Sequence, residues 1–164
     1  QLALGDALAI ATMQNKKFSK LDFKKLHPAG SLAAQLKTVD DIMITGKKIP
    51  FVNENVRMSE ALKILSEKKL GILIIRDKSR KTKGIITDGQ VRRFSEKNLN
   101  FQSLPVKKIM TKKPITIEKN ELAAKALSLM NSKKITSLLV KSNKKPLLTV
   151  GVVHIHTILK ANIA

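Results

Sequence analysis

The chain has 164 residues and is strongly basic, with 32 Lys and Arg against 12 Asp and Glu and a formal net charge of +20. Hydrophobic residues make up 43% of it, enough to build a core, which excludes wholesale disorder. It contains no Cys. A disulfide scaffold, a thiolate zinc site and a cysteine nucleophile are therefore excluded, and the composition predicts a reduced, cytoplasmic setting.

The positive charge suggests nucleic-acid binding, because a basic surface gains affinity for phosphates through counterion release. The kind of cation argues against it. Only five of the 32 are Arg, the residue whose forked donors recognise phosphate and guanine. Stacking platforms for single strands are limited to five Phe. The lysines come as doublets along the whole chain, which is typical of a solvated surface.

Lysines also interrupt every apolar run, so no stretch approaches the roughly 20 apolar residues of a membrane span. The apolar start, Gln1 to Ala11, has no basic flank and contains Asp6, which is wrong for a signal peptide. This segment predicts instead a buried helix that belongs to a larger domain.

The strongest signal is an internal repeat. Asp41-Ile-Met43 recurs as Lys108-Ile-Met110, at an offset of 67 residues. In both copies an extended segment then precedes a helical pattern, namely Ile49–Val52 before Ser59–Lys69, and Ile115–Ile117 before Asn120–Met130. Ser59 and Asn120 are predicted N-caps, since their side-chain oxygens can accept the first N–H groups of a helix.

Two apolar strands and a last helix follow in each copy. They are Ile72–Ile75, Gly84–Ile86 and Gln90–Lys97 in the first copy, and Leu138–Val140, Gly151–Val153 and Thr157–Ala161 in the second. Continuous apolar strands predict a sheet covered on both faces. Each copy is then β-α-β-β-α in about 55–60 residues, and a unit this small buries only about 60% of its unfolded surface. We therefore expect the two copies to pack on each other, joined by the short stretch 98–105.

These motifs resemble a known family. The tandem pattern, with Ile-Met at each start and Gly84-Ile-Ile-Thr-Asp-Gly89, is similar to a pair of CBS domains, the cystathionine-β-synthase-type repeats that form a Bateman module. The whole order of motifs resembles the arabinose-5-phosphate isomerases of the KpsF/GutQ type, in which a sugar-isomerase (SIS) domain precedes two CBS repeats. The motifs concerned are Leu4-Gly-Asp-Ala-Leu-Ala9, Leu26-His-Pro-Ala-Gly-Ser-Leu32, Val39-Asp-Asp-Ile-Met43, Thr87-Asp-Gly-Gln-Val-Arg-Arg93 and Val153-His-Ile-His156.

The resemblance implies an α/β (α+β) fold with the tail of a SIS domain at residues 1–38, a first CBS domain at 39–99 and a second at 106–164. The family interconverts D-arabinose 5-phosphate and D-ribulose 5-phosphate, which supplies the sugar Kdo for lipopolysaccharide or capsule. The resemblance also implies an upstream SIS domain in the same chain, self-association of the CBS pairs and a tetrameric parent enzyme. This segment alone is expected to be inactive, because the family's other catalytic groups have no counterpart in it.

His27 matches the histidine of the family's His-Pro-Gly-Gly motif, which implies a catalytic role in a site shared with a neighbouring subunit. The isomerisation moves a proton through an enediol, and an imidazole with a pKa of about 6.5 can do such work at neutral pH. Apart from the motif, a lone His before Pro is more often a capping or surface residue. Ala29 replaces the family's usual glycine, which puts the turn in question but not the imidazole.

CBS pairs commonly bind adenosine nucleotides between the repeats through a Gly-hydrophobic-hydrophobic-Thr/Ser-x-x-Asp motif, whose Asp holds the ribose. The first copy has Thr87 at the hydroxyl position but Gln90 at the Asp position, and the second has His154 and Thr157 there. With both ribose carboxylates missing, ordinary AMP or ATP sensing is a weaker hypothesis, and Thr87 can simply cap the following helix. His154 and His156 would share a face if both were on a strand, but no third metal ligand is visible nearby, so no metal is predicted.

Three functions remain open. The favoured one is a regulatory module that binds a small anionic effector, a nucleotide or nucleotide-like sugar, and biases the attached isomerase. The second is a structural module that ties SIS subunits into an oligomer and binds no ligand, which the missing Asp pair favours. The third is nucleic-acid binding by the lysine-rich surface. None of the three requires a cofactor or a membrane partner.

Overall fold

The computed structural model describes residues 2–19, 22–23, 26, 34–142, 145 and 147–163. Within these ranges the helices are α1 (Leu2–Asn15), α2 (Val39–Ile42), α3 (Met58–Lys68), α4 (Asp88–Lys97), α5 (Ala123–Lys133) and α6 (Ile155–Lys160). The strands are β1 (Phe51–Asn53), β2 (Ile72–Arg76), β3 (Thr82–Thr87), β4 (Thr111–Lys112), β5 (Thr116–Glu118), β6 (Ser137–Lys141) and β7 (Thr149–His154). Short 3-10 turns lie at Gly46–Lys48, Phe101–Ser103 and Val106–Lys108.

Each repeat builds its own small sheet. In the first, β1 runs parallel to β2, and β2 runs antiparallel to β3, with Leu73 opposite Ile86. In the second, β5, β6 and β7 pair in the same way, with Leu138 opposite Val153. The mixed α/β fold with two β-α-β-β-α repeats is therefore confirmed.

The side chains of β2 alternate between two cores, because successive residues of a strand point to opposite faces. Leu73 lies in the core of its own repeat, in the same cluster as Met58 of α3. Ile74 faces the other way and lies in a cluster with Leu139 and Val152 of the second repeat. This double burial explains the uninterrupted apolar run, and it confirms that the two copies pack on each other.

A local twofold axis relates the repeats. The hydroxyl oxygens of Thr82 and Thr149 are 2.8 Å apart and hydrogen-bonded, and these residues are separated by 67 positions, the offset of the sequence repeat. Equivalent atoms of two copies can touch each other only close to a twofold axis. The axis thus passes between the first residues of β3 and β7.

The first residues of each repeat join the sheet of the other one. β4, near the start of the second repeat, pairs antiparallel with β3 at Gly84 and Ile85. Ile44, near the start of the first repeat, forms a bridge with Val152 in β7. The first repeat is therefore tied to the second one from its opening residues.

Two glycines make these exchanges possible. A Cβ atom on Gly84 would lie 2.5 Å from the carbonyl oxygen of Thr111 and 3.0 Å from Sδ of Met110. A Cβ atom on Gly151 would lie 2.5 Å from Sδ of Met43. In each of these two contacts, the methionine of one repeat packs against the glycine of the other.

The N-caps predicted at Ser59 and Asn120 are wrong. Arg57 and Leu122 occupy the cap positions of α3 and α5, and neither makes a side-chain cap hydrogen bond. Their backbones instead form isolated β-bridges with the segments that lead into the repeats. Pairing with a distant segment, rather than a local side chain, sets where these helices begin.

Helix α1 differs from the others because none of its side chains is buried. Leu2, Leu4 and Leu8 are 88%, 68% and 61% exposed. The helix is apolar over most of its circumference, which is typical of a helix inside the core of a large domain. No helix in the described ranges has the length and apolar character needed to cross a bilayer.

Candidate ligand cleft between the repeats

A cavity of about 700 Å³ lies between the two repeats, a size usual for small-molecule sites. It is lined by the starts of β2 and β6, the ends of β3 and β7, the first turns of α4 and α6 and the segment after β4. The ionisable side chains among its lining residues are Lys69, Asp88, Arg93, Lys113, Lys134, His154 and His156. Because it draws on both copies, the cavity exists only when the repeats are packed together.

Thr87 and Gln90 stand where β3 turns into α4. The Thr87 hydroxyl accepts a hydrogen bond from the Gln90 N–H at 3.4 Å, and Gln90 Oε1 accepts one from the Thr87 N–H at 3.1 Å. This reciprocal pair is a capping box, which satisfies two N–H groups that would otherwise lack partners. Thr87 therefore caps the helix and lines the cleft at the same time.

The side chain of Gln90 also reaches the neighbouring strand β4. Its Nε2 donates a hydrogen bond to Oγ1 of Thr111 at 2.7 Å, on the segment that leads into the second repeat. Both ends of the amide are thus engaged within the protein. At the position where the resembled motif has a ribose-binding Asp, this chain has a cross-link between its repeats.

At the equivalent position of the second copy, Thr157 also bonds within its own repeat. The Thr157 hydroxyl donates to the carbonyl oxygen of His154 at 2.7 Å and accepts from the His154 N–H at 3.3 Å. Thr157 does not line the cavity, whereas Thr87, Gln90 and His154 do. The structure therefore brings three of the four predicted nucleotide-contacting residues to the cleft.

His154 and His156 form a pair beside the cleft, with ring centroids 4.9 Å apart. They are not on one strand, since His154 ends β7 and His156 lies in α6. Nδ1 of His154 accepts the His156 N–H at 3.2 Å, which requires that nitrogen to be unprotonated. Burial, and secondarily the charge of His156, lowers the pKa of His154 from its usual 6.5. Among the described residues there is no group of three or more His, Cys, Asp or Glu suited to a metal ion.

We expect the protein to lose stability as the pH falls below about 6.5, because His154 has a lower pKa folded than unfolded. Between the two pKa values the unfolded chain binds more protons, so acidification favours unfolding. Thermal melts from pH 8 to 5.5 would measure this loss. His154→Asn, which keeps a cap acceptor, should show a smaller loss than the parent sequence. Identical pH profiles for the two proteins would contradict the prediction.

Sequence reasoning missed the cations of this cleft, although Lys69 and Lys134 belong to the lysine doublets. A doublet alone does not show which lysine faces a cavity and which faces solvent, because that depends on where the preceding helix ends.

The predicted catalytic residue, His27, lies outside the described residues.

Residues 39–97 and 106–164 each match the family model described as CBS domain. Over 163 residues the chain is 39% identical to "Arabinose 5-phosphate isomerase KdsD" of Yersinia pestis, which covers 99% of this chain and 49% of that protein. The chain thus spans about half the length of the curated relatives it matches. Its resemblance to the CBS repeats of arabinose-5-phosphate isomerases is confirmed by this similarity.

Solved structures show the same fold. The CBS domain pair of protein MJ0100, in complex with 5'-methylthioadenosine and S-adenosyl-L-methionine, has a TM-score of 0.66 at 25% identity, covering 76% of this chain and 94% of that one. The CBS-domain protein ATU1752 from Agrobacterium tumefaciens has a TM-score of 0.68 at 20% identity, covering 77% and 93%. With two matched repeats, a shared fold and a cleft between them, the chain belongs to the CBS-domain family.

Proposed function

We propose that this chain is the ligand-sensing CBS pair of an isomerase that interconverts D-arabinose 5-phosphate and D-ribulose 5-phosphate, in supply of Kdo. The observation that carries the proposal is the 39% identity to KdsD, which extends over 163 residues and so includes the segment before the repeats. In this proposal the chemistry belongs to the upstream SIS domain and to His27. The function of the pair is to bind an effector.

The exposed helix α1 supports an upstream domain. A helix without a polar face is stable in a protein only when other elements cover it, and no side chain of α1 is buried. Residues 1–38 would then be the tail of the SIS domain, whose body covers α1. The CBS domains would occupy 39–99 and 106–164, and the parent would assemble as a tetramer through SIS and CBS contacts.

The cleft supports an anionic effector such as a nucleotide or a nucleotide-like sugar. Its lining carries four cations, and the MJ0100 pair was crystallised with adenosine-type ligands. A route to the SIS domain is also present: Ile44 pairs with Val152 on β7, and the same strand ends at His154 in the cleft. An effector that prefers one arrangement of this strand would bias the segment attached to it, and through it the isomerase.

A second candidate function, a structural module that binds nothing, is favoured by the hydrogen bonds of Gln90 and Thr157. Both side chains are satisfied within the protein at the positions where a ribose would be held. In that case the pair would serve only to join SIS subunits.

A thermal-shift screen of the 164-residue chain against adenine and cytidine nucleotides and nucleotide sugars tests the sensing proposal. A ligand that binds only the folded state must raise the melting temperature. Any ligand that does so should then change the isomerase activity of the longer parent chain. No shift with any of them, together with concentration-dependent self-association, would contradict sensing and support the structural module. Tight duplex binding at physiological salt would support the nucleic-acid hypothesis instead.

In the longer chain, His27→Ala is expected to lower kcat for arabinose 5-phosphate by about 10²–10⁴-fold, the usual contribution of a general acid or base. Lys125→Gln is a suitable control, because Lys125 is exposed and pairs only with the neighbouring Glu121 on the described surface. Unchanged kcat in His27→Ala would remove the catalytic assignment.

A further inference from the structure

Three lysines that line the cleft share an unusual backbone conformation. Lys69, Lys113 and Lys134 have φ angles of 54°, 55° and 53°, in the left-handed region. Glycine or Asn normally takes this conformation, since a Cβ is crowded there. Lys69 and Lys134 adopt it at the ends of their helices, where a left-handed residue is common.

Two of these lysines occupy equivalent places in the two repeats. Lys69 is the C-cap residue of α3, and Lys134 is the C-cap residue of α5. The local twofold axis at Thr82 and Thr149 relates them, so the cleft receives one cation from each copy. A ligand with two linked anionic groups can offer a separate group to each of these lysines.

Two more charged residues, Arg93 and Asp88, line the cleft. Arg93 folds back over the first turn of α4, where its Nη1 lies 3.4 Å from the position of a Cβ on Gly89. Asp88 is the one carboxylate among the residues that line the cleft, and its Oδ2 lies 3.0 Å from the position of a Cβ on Gly71. Four cations against one carboxylate give the cleft a net positive charge. All four cations are exposed, so their attraction for an anion is screened by salt.

The side chains at the two positions where the resembled motif holds a ribose are engaged elsewhere. Gln90 holds Thr87 and Thr111, and Thr157 holds the backbone of His154. Neither offers a free carboxylate to a pair of ribose hydroxyls. The residues that line this cleft therefore favour binding of a ligand's charged groups over binding of its ribose hydroxyls.

We propose that the cleft selects ligands with two or more linked phosphoryl groups, which Lys69 and Lys134 hold from the two repeats, while a nucleoside part contributes little. This inference rests on the proposed sensing function and names the ligand class of the same site.

Isothermal titration of the 164-residue chain with inorganic pyrophosphate, inorganic phosphate, adenosine and AMP tests the proposal. Pyrophosphate should bind at least about tenfold more tightly than phosphate or AMP, and its affinity should fall with salt. Lys69→Gln and Lys134→Gln should each weaken pyrophosphate binding by about tenfold, the loss typical of one charge-assisted hydrogen bond. Melting curves of the variants would show that they remain folded.

Lys17→Gln is a matched control, because Lys17 is also a left-handed lysine, with φ 49°, but does not line the cleft. An equal loss in Lys17→Gln would mean that general charge, not the cleft, binds the anion, which would overturn the inference. Adenosine or AMP binding as tightly as pyrophosphate would also overturn it but leave the sensing function standing. Failure of every probe, nucleotides included, would count against both.

Discussion

Ile74→Ala is expected to lower the free energy of unfolding of the whole repeat pair by about 2–5 kcal/mol, through lost burial and the cavity left behind. Ile74 is fully buried in the central strand of the first sheet, and it packs with Leu139 and Val152 of the second repeat. For a protein of this size the melting temperature should fall by roughly 10 °C. Differential scanning calorimetry and circular dichroism would measure the change.

The control for this variant is Ile10→Ala in α1, where the side chain is 56% exposed and outside the repeats. It should leave the melting of the repeats within about 0.5 kcal/mol of the parent sequence. Both repeats should still unfold in one transition, because the shared cluster couples them. Two separate transitions, or a loss below about 1 kcal/mol, would mean that the repeats fold independently.

Gly84→Ala is expected to destabilise the pair by about 1–3 kcal/mol, the usual range for overpacking a filled site. The new Cβ would lie 2.5 Å from the carbonyl oxygen of Thr111, and a backbone carbonyl cannot move without disturbing the pairing of β3 with β4. Urea denaturation followed by circular dichroism would give the change in free energy.

Two further glycines provide a graded comparison. At Gly151 the nearest atom is Sδ of Met43, on a flexible side chain that can rotate away, so Gly151→Ala should cost less than Gly84→Ala. At Gly5 nothing lies within 4 Å, so Gly5→Ala should leave the repeats unaffected. Equal stability of Gly84→Ala and Gly5→Ala would contradict the close approach of β4 to β3.

The exchange of leading segments places the start of the first repeat against the second repeat. Ile44, near the start of the first repeat, is bridged to Val152 in β7 of the second repeat. The strand that ends at His154 in the cleft is therefore bridged to the segment around Ile44. Loss of either repeat would remove the cleft, which draws its lining from both.

Much of the fold could be predicted from the sequence because its signals are local. The apolar runs at Ile72–Ile75 and Leu138–Val140 lie within β2 and β6, and the offset of 67 residues is also that of the Thr82–Thr149 contact. Apolar alternation and helical spacing are set by the chain's own geometry, so they can be read without knowing its partners.

The candidate site could be predicted only in part. The resemblance to the CBS motif predicts Thr87, Gln90 and His154 as ligand contacts, and all three line the cleft. The partner of Gln90, Thr111, had no signal, because the two residues meet only after β4 crosses to the other sheet.

By itself, the sequence determined the two repeats, their strand and helix order, the lysine-rich surface and the absence of ribose carboxylates at the motif positions. Only the tertiary structure decided that β2 divides its side chains between two cores, that Arg57 and Leu122 begin their helices through distant pairing, and that Lys69 and Lys134 share one cavity. Such features arise from contacts between residues that are far apart along the chain. They leave no periodic pattern in the sequence, since each depends on how complete elements pack in space.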